Sequence, residues 1–414
     1  MIIDRCPKSL QWLLVRERAE LTKPQFGRLW MIVVAWVLTG RVGKIIHLAL
    51  HCCRGHRTSF SSFLTRSRWD AGLVLRQLVL REIRRLRPRR GEMIEVLIDD
   101  TRNAKRGRQM AALSKIWDHT AQCFVRGHII VTAAVRFRGV IWPWQLDLWL
   151  PQSYTGKKRY RKMTEMAAQC IRQFPAMKGL KTRILFDAFY LSPVVTQACA
   201  ARGWEWFSVA ARNRTFTPTG GHKRKLADWV KGYLQHHGQR VRMRRSRGWT
   251  WMRIAGADGH LGRIGTVRLV ISKRPKDLWK NVAVFATNAT SLPARDIVAT
   301  YEHRWGIETL FKELKGTLGL GAYQVLNENG IRHHLHLCGL TLIWLTRHGL
   351  DAVDANARKA KELSLPPLVQ RLRALREQLR NERLHRLLQR TRSKPLRRKL
   401  KTCLRQVLPI TVAA

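Results

Sequence analysis

In a chain with 78 Lys and Arg against 27 Asp and Glu, the informative residues are acids placed where an acid is costly. The β-branched run Met93 to Ile98 (MIEVLI) enters the pair Asp99 and Asp100, and a second buried run, Arg183 to Phe186 (RILF), ends at Asp187. A carboxylate at the end of a buried strand is expensive to desolvate unless a cation offsets it. If the two strands are neighbours, Asp100 and Asp187 form an oxygen-only site suited to Mg²⁺ or Mn²⁺. Two such ions about 3.5–4 Å apart can hold both the attacking and the leaving oxygen of a phosphoryl transfer. Spacing alone leaves the plainer alternative open, a strand-end Asp that caps the following turn.

A third acid lies in YEHRWGIETLFKELK, Tyr301 to Lys315. Read as one helix at about 100° per residue, Tyr301, Arg304, Glu308 and Lys315 fall within an arc of about 60°, with Lys312 beside them. Glu302 and Glu313 fall about 100–120° from Tyr301 and are poor candidates for the same site. The row sets one carboxylate among donors that suit phosphate. An ordinary charged face with i,i+4 pairs such as Glu308 and Lys312 is the competing explanation.

The elements that must position these residues can be read from pattern. Met93 to Ile98, the hairpin Gly127 to Phe137 and Val140 to Leu150 turning at Arg138-Gly139, a helix over Lys162 to Met177, the RILF strand, a helix over Pro193 to Arg202 and a strand over Glu205 to Ala210 predict a mixed α/β sheet with crossover helices. That is the order of a ribonuclease H-like fold. Residues 212–292 carry 18 basic residues against Asp228, Asp258 and Asp277. Strand-like stretches there (Arg240 to Met243, Trp249 to Ile254, Gly265 to Ser272, Val282 to Thr287) predict a basic, β-rich insertion. Before the sheet, helical spacing over Leu10 to Leu21, Leu29 to Leu50 and Ala71 to Leu86 predicts a helical N-terminal domain. It closes in a basic linker with six Arg among residues 81–90. An apolar helix is expected over Ile331 to His348. The tail from Arg358 to Arg405 has 17 basic residues against three acids, and its Leu spacing predicts basic helices with one apolar stripe.

Together these features resemble DDE transposases of the insertion-sequence-4-like group. Tyr301-x2-Arg304-x3-Glu308-x6-Lys315 is similar to that group's Tyr-Arg-Glu-Lys signature, and Asp99-Asp100-Thr101 and Phe186-Asp187 fall where it has its two aspartates. The resemblance covers roughly residues 93–350. It implies a ribonuclease H-like core (93–211 and 293–350) interrupted by the insertion (212–292), between a helical DNA-binding part (1–92) and a basic helical part (351–414). It further implies that Asp100, Asp187 and Glu308 hold two Mg²⁺ or Mn²⁺ ions, while Tyr301, Arg304 and Lys315 bind DNA phosphates near the cleaved element end. Asp100 is preferred to Asp99 because the group's ligand directly precedes the Thr and Asp99 points to the other face of the strand. The implied activity is that of a bacterial insertion sequence's transposase. It would cut double-stranded DNA at the terminal repeats and transfer the 3′-OH into target DNA, as a homodimer in a synaptic complex. Some relatives stack a Trp on a flipped base, but the matching position here is Ala283, with Trp279 close by. An inactive DNA-binding relative and a nuclease of the same fold without strand transfer are the rival readings.

The remaining residues have plainer readings. Of the 78 basic residues 55 are Arg, the side chain suited to bidentate phosphate contact, so a nucleic-acid partner precedes an anionic membrane. At 45% apolar residues the chain can bury large cores, which excludes a disordered basic protein. The eight Cys lack zinc-ligand spacing and read as reduced thiols of a cytoplasmic protein, with no signal peptide and no apolar run long enough to span a bilayer. Trp204, Trp206 and Phe207 read as core. Trp249 and Trp251 suit base stacking, but insertion core is the favoured reading. His333, His334 and His336 read as polar helix-start residues, and Asp118 and His119 as loop. Lys105, Arg106 and Arg108 either face the same DNA, with Arg106 the chosen contact, or solubilise a loop.

Overall fold

The computed structural model describes residues 5–14, 20–39, 56–118, 122–245, 248–354 and 360–390, together with 358, 395 and 398. His119, Cys52, Cys53 and Cys403 lie outside them. The framework is a mixed sheet. Strand β1 (Met93–Ala104) pairs antiparallel with β3 (Cys123–Phe137) on one side and parallel with β5 (Lys181–Phe186) on the other. β3 pairs with both β2 (Ser114–Asp118) and β4 (Val140–Leu148), and β5 pairs parallel with β6 (Glu205–Val209). The order β4-β3-β1-β5-β6, with only the last three parallel, is consistent with the expected ribonuclease H-like core. β3 and β4 turn at Arg138 and Gly139, both with positive φ (49° and 79°), as a tight two-residue hairpin requires. The parallel links run through helices Met163–Gln173 and Pro193–Ala200, each within its predicted span.

Past β6 the sheet does not stop. β12 (Ala283–Thr287) pairs antiparallel with β6. β11 (Gly265–Lys273) and β10 (Gly248–Leu261) follow, with β9 (Gln239–Arg245) and β7 (Thr215–Pro218) on β10 and the short β8 (Arg224–Lys225) on β7. The strands of the basic segment thus extend the core sheet edge to edge. A helix over Leu226–His237 precedes β9 and has no counterpart among the predicted elements.

The N-terminal helices Lys8–Leu14, Lys23–Thr39, Arg57–Arg66 and Ala71–Arg85 share one continuous apolar core with the sheet. Arg81, Arg84 and Arg85, expected in a linker, lie in the last turns of the fourth of these, where cations suit the helix dipole. The core is organised around the apolar helix Glu328–Asp351, which packs on that helix, on the third and on β4. The tail helix Leu368–Arg390 covers another side through Leu372, Leu375 and Leu379, whereas Leu387 is exposed.

His333, His334 and His336 are not exposed helix-start residues. They lie one turn inside the apolar helix and are buried. Backbone carbonyls make this tolerable: His333 Nδ1 meets Leu64 O at 2.6 Å, His334 Nε2 meets Gly319 O at 3.0 Å and His336 Nδ1 meets Arg332 O at 2.7 Å. Burial lowers all three pKa values, that of His334 to about 4. An unfolded His titrates near 6.5, so between these values the unfolded chain binds a proton that the folded chain refuses. Stability present above pH 6.5 is therefore lost as pH falls toward 4, by about 3 kcal/mol for His334 alone. In urea unfolding across this range, His334→Gln should flatten the slope; an unchanged slope would remove His334 as its source.

Candidate active site

β5 ends at Phe186, paired with Ile98, whereas β1 runs six residues further to Ala104 along β3. Asp100 is thus not at a strand end, as the short MIEVLI run suggested. It sits within a long strand at the point where the neighbour on one side stops. The first residue past β5 is Asp187, and the first residues of β1 with an open flank are Asp99 and Asp100. Asp99, Asp100, Asp187 and Lys315 line one open cleft of about 820 Å³.

These carboxylates crowd one another. Burial, then the charge of Asp187, push Asp99 up to about 7. Asp100 is also raised, by burial and by Asp187, against the opposing pull of Arg102. Tyr190, buried beside them, donates its hydroxyl to Asp100 Oδ1 at 3.4 Å, while Asp187 Oδ1 accepts from the backbone N–H groups of Phe189 and Tyr190. Strand alternation predicts that Asp99 faces away from Asp100. Its side chain does take the other face, but that face is where Arg304 reaches it, with Nη1 donating to Asp99 Oδ2 at 2.9 Å. The missed signal was the doublet itself, since two acids in a row on an opened strand put charge on both faces.

Tyr301 to Lys315 is not one helix. One helix ends at Glu302, and a second, Trp305–Gly316, begins beyond a tightened turn in which His303 N bonds Thr300 O, Arg304 N bonds Tyr301 O and Gly306 N bonds His303 O. These i→i+3 bonds wind the chain more tightly than the regular 100° step assumed. At the break, His303 Nδ1 meets Glu95 Oε1 at 2.8 Å, and Glu95, buried in β1, also takes Arg136. Burial pushes Glu95 up, yet the hydrogen bonds and charges of these two partners hold its carboxyl below the usual range.

The row of side chains survives the break, with different duties. Arg304, only 12% exposed, donates to both Asp99 and Glu308, so its guanidinium is a clasp between two acids. Its charge also lies over the Tyr301 ring, which packs on Phe285. Lys315 donates to Arg102 O at 2.7 Å from the end of its helix, beside Asp100. Lys312, Arg106 and Arg108 are exposed. Lys105 does neither thing foreseen: it is tucked under residues 321–323, bonded to Gly321 O and Tyr323 O and set over the Tyr323 ring, and burial lowers it to about 8.

The structure therefore brings Asp99, Asp100 and Asp187 to one cleft and leaves Glu308 on the far side of Arg304. Among the described residues no three Asp, Glu, His or Cys side chains converge as a ready ion-binding group. Trp204, Trp206 and Phe207 are core, as read. Trp249 and Trp251 are not core, being 57% and 44% exposed. Trp279 lies in a short turn with the charges of Lys231 and Lys273 over its ring.

Residues 150–345 match the family model of the transposase DDE domain. The match takes in Asp187, Tyr301, Arg304, Glu308 and Lys315, and begins after Asp99 and Asp100. No curated protein matches the chain. No helix among the described residues is long and apolar enough to cross a membrane.

The crowding has a direct test. Asp187→Asn should lower the Asp99 titration from about 7 toward the ordinary carboxyl range, followed by carbon-13 NMR of Asp-labelled protein. An unmoved Asp99 would show that the two carboxylates do not share a field.

Proposed function

We propose that the chain is a metal-dependent DNA transposase of the insertion-sequence-4-like group, encoded by a bacterial insertion sequence and acting on DNA in the cytoplasm. The observation that carries this reading is the meeting of Asp100 and Asp187 where β5 stops beside β1, with Lys315 on the same cleft. The transposase DDE match over residues 150–345 supports it, as does the charge of +51, which fits a polyanionic partner.

Asp100, Asp187 and Glu308 are the proposed metal ligands, for two Mg²⁺ or Mn²⁺ ions. The donor set suits them in kind, since it is oxygen-only and Asp100 and Asp187 stand half-buried with like charges on one cleft. Such ions would supply polarisation of the scissile phosphate and activation of the attacking hydroxyl. The protein's own groups supply the rest. Lys315 brings a cation to the cleft to offset phosphate charge, and Tyr190 fixes the orientation of Asp100. Arg304 offsets the charges of Asp99 and Glu308 and offers a guanidinium to phosphate as DNA enters; Tyr301 beneath it fixes its stem. Lys312 and Arg106, both exposed, extend the backbone contacts. Residues 1–92, the segment 212–292 and residues 351–414 would hold the element ends and target DNA in a homodimeric synaptic complex.

The test is a Mg²⁺-dependent strand-transfer assay on the element's own terminal repeats. Asp100→Ala, Asp187→Ala and Glu308→Ala should each abolish cleavage and joining, and full activity in any of them would sink the site assignment. Cleavage without joining would identify a nuclease instead. Lys315→Gln should weaken DNA binding and reduce its log–log salt slope by about 1, as expected for one lost phosphate contact. In a melting experiment Mg²⁺ should stabilise the wild type but not Asp100→Asn or Asp187→Asn; equal stabilisation of all three would remove these carboxylates as ligands.

A further inference from the structure

The ribbon β9–β10 carries a surface that the cleft chemistry does not use. Its register places Trp251 opposite Arg242 and Arg253 opposite Arg240, so these residues share one face with Trp249, while Met243, Met252 and Ile254 on the other face are buried. On the exposed face cations and rings interleave. The guanidinium of Arg240 lies 4.6 Å from the Trp251 ring centre, and that of Arg242 lies 5.4 Å from the Trp249 ring centre. Each contact is diagonal, reaching across the ribbon to the ring two positions from the direct partner. Among the described residues no carboxylate pairs with Arg240 or Arg242. Arg253, by contrast, is spent on Gln235 O and Gly238 O, where it ties the preceding helix to the ribbon.

An exposed indole is an apolar liability on a monomer's surface, and two on one strand face, each under a guanidinium with no carboxylate partner among the described residues, call for a ligand that is both aromatic and anionic. Residues i and i+2 of a strand are about 6.8 Å apart, twice the thickness of a stacked ring, so a planar base fits between successive indoles. A duplex hides its base faces and offers only edges and phosphates. An unpaired strand offers faces and phosphates in alternation.

We propose that the Arg240–Arg242–Trp249–Trp251 face is a binding ladder for unpaired DNA. In it the two indoles stack bases, and the two guanidiniums move from the ring faces to the adjoining phosphates. The inference rests on the DNA-processing reading above and adds a single-stranded substrate segment to it, held on the basic extension of the sheet.

The test uses the full chain and a labelled mixed-sequence oligonucleotide of about 16 nucleotides, single-stranded or as duplex, with anionic phosphatidylserine vesicles as a third probe. In the Trp249→Ala/Trp251→Ala variant, single-strand affinity should fall about thirtyfold or more, duplex affinity should change less than about twofold, and vesicle binding should not change. Trp249→Phe/Trp251→Phe should restore most of the loss, because the ring face and not the indole N–H does the stacking. Arg240→Gln/Arg242→Gln should reduce the single-strand salt slope by about 1.4. All three variants alter exposed side chains, so their melting should follow the wild type, and a fall in single-strand affinity in the Ala variant that Phe reverses would exclude misfolding. Unchanged single-strand binding, or equal losses on single strand and duplex, would overturn the ladder; if strand transfer persists, the reading of the cleft stands. Loss confined to vesicles would also overturn it and make the face a membrane contact. Failure of the wild type to bind any DNA would overturn the ladder and the parent reading together.

Discussion

The site exists because two paired strands have unequal lengths. β5 stops at Phe186 while β1 continues along β3 to Ala104, and this leaves one flank of β1 without a neighbour from Asp99 onward. In the interior of a sheet a carboxylate on either face would be sealed by the next strand and its covering helix. At the step, Asp99 and Asp100 meet open space beside Asp187. The rest of the architecture serves to hold this step still. β3 braces β1 over its whole length, and Gly127 permits the closest approach, since a Cβ there would lie 2.4 Å from Asn103 O.

Opening the flank creates an electrostatic problem that the neighbouring helices partly answer. Beside Asp187, burial and like charge raise the protonation of both Asp99 and Asp100, that of Asp99 to about 7. Arg304 is the cation nearest to Asp99 and also binds Glu308, so the fourth acid is tied to the same charge. The helix break at His303 makes this reach possible: it anchors the turn on buried Glu95 and lets Arg304 leave the regular helical track. The contact of His303 with buried Glu95 thus fixes the turn from which Arg304 reaches Asp99. A buried guanidinium bridging two acids in this way is costly to break on one side only, which favours a single defined geometry.

Away from the cleft the same economy recurs, with charge placed where a partner must supply the complement. The buried histidines of Glu328–Asp351 are the reverse case. His333 and His334 are satisfied by carbonyls of neighbouring segments and so hold the N-terminal helices and the residue 319 turn to the apolar helix without any charge. Among the described residues Arg240, Arg242, Trp249 and Trp251 of β9–β10 have no such carbonyl partners and face outward.

The sequence by itself determined the sheet, because β-branched runs, the Arg138-Gly139 turn and two crossover helices leave few topologies. It also singled out Asp100 and Asp187 as candidates, since in so basic a chain a carboxylate on a buried strand stands out. Three things were decided only by tertiary structure. Whether Asp99 counted depended on where β5 ended, a matter of strand length that local pattern does not encode. Whether Tyr301 to Lys315 ran straight depended on Glu95, 208 residues away from His303, which no helical wheel contains. And whether histidines or tryptophans were core or surface depended on which face another element covered. His333 and His334 look polar but are buried on carbonyls of other segments, whereas Trp249 and Trp251 look like core but lie on a ribbon whose other face is the one that packs. Periodicity reports that an element has two faces; only packing against the rest of the chain decides which face is buried.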